Sequence, residues 1–140
     1  MYKKLLLVLM LATSLSACKK NGNKQACGTQ MCDASFAYLG VIFNNNKGEA
    51  AGVKNLTIIN LRTGKAVKLP PYPPNVDFIA GSFLIASDEN KGEFSTEGDD
   101  IKITATSAVT GQIKTTTLKI SGGCNCHVNK ISGSEKVIFD

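Results

Sequence analysis

The residues with the most specific chemistry in this sequence are its cysteines. Four of them form two close pairs, one near each end of the chain body: Cys27, Cys32, Cys124 and Cys126. In an oxidising compartment an even set of cysteines predicts disulfide bonds, and four cysteines allow three different pairings. A bond between Cys124 and Cys126 would distort an extended backbone. We therefore expect bonds between the two pairs, for example from Cys32 to Cys124.

A thiol-based metal site is the alternative use of the same side chains. The four thiolates, or three of them with the neighbouring His127, suit tetrahedral Zn²⁺ or soft Cu⁺. Only one residue separates Cys124 from Cys126, which is shorter than the spacing usual in structural zinc sites. The Cys-x-x-Cys motif of redox exchange is absent from the sequence. Disulfides, with no cofactor and no metal, are therefore the preferred interpretation.

His127 is the only histidine, so a Ser-His-Asp or Cys-His catalytic set would have to include it. No Gly-x-Ser-x-Gly nucleophile motif occurs in the sequence. An extended segment around Cys126 would also point the imidazole away from the sulfur atoms. The sequence therefore predicts a structural or solvent-facing histidine, and a protein that is not an enzyme.

Two other segments predict loops more readily than sites. The spacing Asp88-x-Asn90-x-Gly92 is that of the start of a calcium loop, but the later glutamate ligand is missing, so a turn is favoured. The segment Pro70–Pro74 cannot lie inside a sheet, because proline donates no ladder hydrogen bond. We expect it to cross between two sheets, and the alternative is a partner contact anchored by Tyr72.

The charge distribution argues against nucleic-acid binding. The net charge of +5 comes from five lysines that precede residue 25. Beyond that point the basic and acidic residues balance, which leaves no basic face for a nucleic acid. Tryptophan is absent and aromatic residues make up 6% of the chain, so a platform for stacking bases is not expected.

The N-terminus has the order of a secretory signal peptide. Residues 1–4 are a short basic region, and residues 5–12 are apolar but too few for a comfortable membrane span. The next residues, Leu15-Ser16-Ala17-Cys18, resemble the lipobox of bacterial lipoproteins. This resemblance implies cleavage after residue 17, a diacylglycerol on the Cys18 sulfur, and an acyl chain such as palmitate on its amine. The fifth cysteine then has a role of its own.

The lipobox resemblance also implies a location. Residues 18–26 form a polar tether with Lys19, Lys20 and Lys24 between the lipid and the body. Lipoproteins with Asp after the lipidated cysteine are often retained in the inner membrane. Lys19 therefore favours the outer membrane, facing the periplasm. The expected partners are the membrane, through the lipid on Cys18, and an envelope protein or a glycan.

The body, residues 27–140, predicts an all-β domain of about seven strands. Apolar or alternating runs, bounded by turn residues, recur at the spacing typical of sandwiches: 34–43, 53–61, 66–69, 78–86, 101–107, 113–120, 128–131 and 135–139. The clearest hairpin joins the runs on either side of Val109–Gln112, where a Thr-Gly step lies between matched strands. We expect an antiparallel β-sandwich, immunoglobulin-like or transthyretin-like.

The middle of the body distantly resembles carboxypeptidase-regulatory-like domains, through Gly81–Ala86 and the Thr-Gly hairpins. The segment Cys124–His127 is similar to the Cys-x-Cys-His end of some small bacterial lipoproteins. Both resemblances imply an accessory or binding module. The sequence therefore predicts a lipid-anchored envelope protein with a non-catalytic binding or structural module, and the alternative is a thiol-based metal-binding protein.

Overall fold

The computed structural model describes residues 27–74 and 78–140, so the predicted signal peptide, Cys18 and tether lie outside the described residues. The described chain contains short strands and one turn of 3-10 helix at Lys91–Glu93. The strands are β1 (Tyr38–Asn45), β2 (Val53–Asn60), β3 (Lys65–Ala66), β4 (Ser82–Ser87), β5 (Asp99–Ser107), β6 (Ile113–Ser121), β7 (Asn129–Ser132) and β8 (Lys136–Phe139). Among these residues no helix is long and apolar enough to cross a membrane.

The strands form two sheets, which confirms the predicted all-β sandwich. One sheet has three strands in the order β4-β1-β8, and the other has five in the order β3-β2-β5-β6-β7. In each strand, alternate side chains point to the inner face of its sheet. The inner faces of the two sheets pack together and form one hydrophobic core. Along β5, for instance, Ile101, Ile103 and Ala105 are at most 1% exposed.

The predicted hairpin is present between β5 and β6. The two strands pair antiparallel in an unbroken register from Asp99 opposite Ile120 to Thr106 opposite Ile113. Gly111 has a φ of 72° in the connecting turn, which is a conformation that glycine adopts without strain. The local turn chemistry and the alternation of these strands were therefore sufficient to predict their pairing.

One strand pair departs from the expected antiparallel arrangement. β8 pairs parallel to β1, with Ile42 opposite Lys136 and Phe43 opposite Val137. This pair is possible because almost the whole domain serves as the connection between the two strands, and a parallel pair needs a long crossover. The first and last strands are therefore neighbours in the small sheet.

The structure also shortens two predicted strands at their beginnings. β1 begins at Tyr38 and not at residue 34, and residues 27–37, called the strap below, have no strand structure. β4 begins at Ser82, because a turn closed by the hydrogen bond from the Ser82 N–H to the Ile79 carbonyl precedes it. The proline-rich segment lies in the loop between β3 of one sheet and β4 of the other, as expected.

Candidate functional site

Two disulfide bonds attach the strap to the loop between β6 and β7. Cys27 is bonded to Cys124 and Cys32 to Cys126, with Cα–Cα distances of 5.2 and 5.3 Å. The expectation that the two cysteine pairs bond to each other is confirmed. The pairing given as an example, Cys32 with Cys124, is wrong, since Cys32 bonds to the later cysteine.

The loop that carries Cys124 and Cys126 is not extended, in contrast to the sequence prediction. Residues 123–127 form turns and bends. Gly122 and Gly123 begin this loop by packing against the 3-10 turn, where the Gly123 N–H donates to the Lys91 carbonyl at 2.8 Å. A Cβ atom on Gly122 would lie 2.4 Å from the same carbonyl oxygen, so only glycine allows this approach. Lys91 also donates from Nζ to the Cys126 carbonyl at 3.0 Å.

His127 lies between two carboxylates. Its Nδ1 is 2.7 Å from Asp88 Oδ2, and its Nε2 is 3.1 Å from Asp33 Oδ1. The hydrogen bond with Asp88, together with the charges of Asp88 and Asp33, raises the pKa of His127 above its ordinary value. The protonated ring donates one hydrogen bond to each carboxylate, and the side chain is 24% exposed. His127 therefore bridges a carboxylate of the body and a carboxylate of the strap.

Asp88 is the centre of this cluster. One carboxylate oxygen accepts the Ala37 N–H at 2.9 Å, and the other accepts the Val128 N–H at 2.8 Å. Burial opposes the ionisation of Asp88, but these two N–H donors and His127 outweigh it and keep the pKa below its ordinary value. One carboxylate thus joins the end of the strap, the turn after β4 and the residue that precedes β7.

Ser35 completes an arrangement that superficially matches a catalytic triad. Its Oγ lies 3.3 Å from His127 Nε2, while Asp88 contacts the opposite ring nitrogen. However, the Ser35 hydroxyl and His127 Nε2 both contact the same oxygen of Asp33. The nitrogen that would accept the serine proton in a triad is therefore shared with Asp33, whereas the base of a triad faces the serine alone. Four surface cavities of about 310–400 Å³ are lined by residues other than His127.

The chemistry of this cluster is therefore that of a clamp. Two disulfides and one ionic bridge hold the strap against the body at neighbouring points, because Asp33 follows Cys32 and His127 follows Cys126. All four body cysteines are oxidised, and a disulfide sulfur is not a thiolate ligand. Among the described residues no group of three or more histidine, cysteine and acidic side chains is arranged to hold a metal ion.

The sequence interpretation did not assign Asp33, Ser35 or Asp88 to the cluster. The sequence favoured a turn over the start of a calcium loop for Asp88, and it placed Ser35 in the first strand. The cysteines did carry a signal for Asp33 and Ser35. Any bond from Cys32 to the later cysteine pair brings these two residues close to His127. Asp88 comes close to His127 only because the two sheets pack together. The sequence around Asp88 does not indicate this packing.

A second polar cluster lies beneath the end of the large sheet. Asp99 is 3% exposed and accepts hydrogen bonds from the Arg62 guanidinium, at 2.6 and 2.9 Å. The buried Asn60 amide donates to it at 2.7 Å, and so does the Ser95 hydroxyl. Burial disfavours the charge on Asp99, but these donors hold its pKa far below its ordinary value. This cluster fixes the loop before β5 to the end of β2.

Comparison of the chain with protein-family models, curated proteins and solved structures finds no match.

Proposed function

We propose that this chain is a lipid-anchored protein of the bacterial cell envelope, and that its body is a non-catalytic binding or structural module. The proposal combines the lipobox at Leu15–Cys18 with the state of the other cysteines. Both parts of the proposal are testable separately, because the anchor and the body involve different residues.

The observation that carries the proposal is the pairing of every cysteine in the body. Cys27 with Cys124 and Cys32 with Cys126 form two long-range disulfides. Disulfides of this kind persist in oxidising compartments outside the cytosol. Cys18 is then the one cysteine of the five without a partner in the body, which suits a sulfur that carries lipid.

The position of the disulfides also suits an anchored chain. The tether enters the body at Cys27, which is itself bonded to Cys124. A pull on the lipid anchor is therefore transmitted through the disulfide to the loop between β6 and β7. Without these bonds the same pull would act on the end of β1 and its hydrogen bonds. The disulfides thus relieve the start of β1 of force on the tether.

The features of the body favour binding to another molecule over catalysis. Its only histidine is clamped between Asp33 and Asp88, which occupies the ring nitrogens that a general base would need. The outer membrane, with the domain facing the periplasm, is the proposed location, because Lys19 follows the lipidated cysteine. An envelope protein or a glycan is the proposed partner of the exposed loops and faces.

The test of the anchor is labelling with fatty acid and membrane fractionation. We expect wild-type protein to incorporate labelled palmitate and to sediment with membranes, and Cys18→Ser to incorporate none. The matched control is the double variant Cys32→Ser with Cys126→Ser, which loses one disulfide but keeps the lipobox and should stay labelled. Label on Cys18→Ser, or its absence from the wild type, would contradict the lipid anchor.

The alternative function, metal binding by thiolates, has a direct test. Each disulfide removes a pair of hydrogen atoms from the mass of the chain. Intact-mass measurement of protein purified without reductant should therefore show both bonds and no bound metal. Free thiols on the four body cysteines together with bound zinc or copper would favour the alternative over the binding module.

A further inference from the structure

Four aromatic rings of the described chain lie together outside the core. Ring centroids are 4.9 Å apart between Phe36 and Tyr38, 6.4 Å between Tyr38 and Phe78, and 5.0 Å between Phe78 and Tyr72. Ile79 adjoins this series. These five residues are called the aromatic patch below. The other described aromatic residues, Phe43, Phe83, Phe94 and Phe139, belong to the core or pack against it.

The aromatic patch covers part of the outer face of the small sheet. Val41 and Phe43 of β1 face the core, so Tyr38, Gly40 and Ile42 face outward. Gly40 has no side chain, and the space above it is a groove of about 310 Å³. Tyr38, Phe78, Ile79 and Ile42 supply its apolar walls. The patch is therefore a shaped surface and not a set of scattered side chains.

The patch leaves much apolar surface in contact with water. The exposed fraction is 70% for Ile79, 53% for Tyr72 and 46% for Phe36. The Tyr72 hydroxyl accepts the Leu84 N–H at 3.1 Å, which ties this ring to the edge of β4. An exposed apolar surface held in place by such a hydrogen bond is typical of an interaction site.

The electrostatics around the patch favour an anionic surface. Among the described residues that line the groove, Glu135 is the one with an acidic side chain, and it forms an ion pair with Lys130 at 2.9 Å. Lys136 lies opposite Ile42 on the neighbouring strand and is exposed. It has no acidic partner within ion-pair distance among the described residues. Lys136 therefore adds an exposed positive charge to the strand beside the groove, and basic side chains near a membrane surface favour anionic lipid head groups.

The tether places the patch near such a surface. From Cys18 to Cys27 the chain spans at most about 30 Å even when fully extended, which is close to the diameter of a domain of this size. Phe36 belongs to the strap, into which the tether leads, and so does Met31, which is 98% exposed. A lipid on Cys18 would therefore keep the strap and its aromatic neighbours close to the membrane.

We propose that the aromatic patch docks the body onto the surface of the bilayer that holds its lipid. This inference rests on the lipid anchor of the proposed function. Tyrosine rings favour the boundary between head groups and acyl chains, because one end of the side chain is apolar and the other is polar. Phenylalanine and isoleucine side chains add apolar area that is buried at the same boundary. Because the lipid already holds the protein at the membrane, the effective concentration of the bilayer around the patch is high. A small patch is therefore enough for binding.

The absence of tryptophan from the chain provides a clean test. Single variants Phe36→Trp and Phe78→Trp report on the patch and keep the hydrogen bond of Tyr72. The control is Val109→Trp. Val109 is 89% exposed and lines a cavity together with Asn45, which is at the opposite end of β1 from Tyr38. Full-length lipidated protein is reconstituted in vesicles of phosphatidylethanolamine and phosphatidylglycerol with brominated acyl chains, which quench nearby tryptophan.

We expect the patch tryptophans to lose emission about twofold or more and to shift to shorter wavelength, and the control to change little. Adding Ile79→Ser and Lys136→Ser to Phe36→Trp should restore most of the emission. Equal emission from patch and control tryptophans in lipidated protein would overturn the docking and leave the anchor intact. A failed anchor would appear separately, as missing fatty acid. Shielding of the patch only by added glycan or envelope protein would also overturn the proposal.

Discussion

The Asp88 carboxylate and the His127 imidazole are joined by a 2.7 Å hydrogen bond across 39 positions of sequence. The opposite nitrogen of the ring contacts Asp33 in the strap at 3.1 Å. The same Asp88 holds the backbone of Ala37, where the strap ends. One imidazole therefore links the strap to the body beside the second disulfide, and its protonation state determines how firmly the strap is held.

Folding stability should fall as the pH rises above 6.5. The pKa of His127 is higher in the folded protein than its ordinary value of 6.5, so the clamp contributes fully below that value and is lost as pH rises through the folded pKa. Urea unfolding at a series of pH values measures this. His127→Gln, which cannot ionise, should show a flatter profile, and an unchanged slope would contradict the role of His127.

The same clamp should weaken in acid. Hydrogen bonds from Ser35 and the charge of His127 lower the pKa of Asp33 below 3.8, and the pKa of Asp88 is lowered as well. Their contribution is present above the ordinary value and is lost as pH falls through the folded pKa. Proteolysis of the strap, compared between pH 5.5 and 3, should show this loosening. At pH 5.5 the strap of the Asp33→Asn variant should be cleaved faster than that of the wild type. The control variant Glu97→Gln should be cleaved at the wild-type rate.

The two disulfides should be strongly non-additive. They bridge the same two segments, with sequence separations of 97 and 94, so either one alone closes the long loop. Replacing Cys32 and Cys126 by alanine then opens only a short ring and should cost about 2 kcal/mol of unfolding free energy, whereas removing both bonds should cost about 7 kcal/mol in the chain-entropy account. Chemical denaturation measures both values. Two equal and additive losses would contradict this redundancy.

Asp99 should be the most sensitive polar residue of the body. Asp99→Ala leaves the Asn60 amide and the Arg62 guanidinium without their acceptor, and the expected loss is about 3 kcal/mol. The matched control is Asp100→Ala, since this neighbour is exposed and points to the other face of β5. Thermal unfolding of the two variants should differ by several degrees. Similar losses from both variants would show that the buried cluster contributes little.

Gly122 should not tolerate a side chain. A Cβ atom there would lie 2.4 Å from the Lys91 carbonyl oxygen, so Gly122→Ala should displace the loop that carries Cys124 and should cost about 3 kcal/mol. Gly28→Ala is the control, because its Cβ would meet nothing within 4 Å. The measurements are unfolding free energy and the rate of disulfide formation from reduced protein. A normal rate in Gly122→Ala would contradict this packing.

Local patterns were enough to predict most of the strands. The alternation in β5 and β6 and the Thr-Gly step between them determine a hairpin, because both the side-chain period and the turn angles are local properties. The crossing loop at Pro70–Pro74 follows similarly from the missing backbone donors of proline. The sequence also predicted that the two distant cysteine pairs bond to each other. It did not determine which later cysteine bonds to Cys27 and which to Cys32.

Features that depend on distant packing were not accessible from the sequence. Apolar residues at 34–37 suggested a longer β1, but the disulfides and Asp88 draw this segment into the strap. The residues of β1 and β8 do not indicate that the two strands pair with each other, or that they pair parallel. The carboxylates around His127 converge only once the sheets are assembled.

The pairing of β8 with β1 has a consequence for the order of synthesis. β1 pairs on one side with β4 and on the other with β8, so the small sheet stays incomplete until the last strand of the domain has been made. The two disulfides likewise require residues from both ends of the domain. Contacts of such long range form slowly, which favours a chain that remains unfolded while it elongates. For the envelope location that we propose, this delay would keep the chain unfolded until it has crossed the membrane.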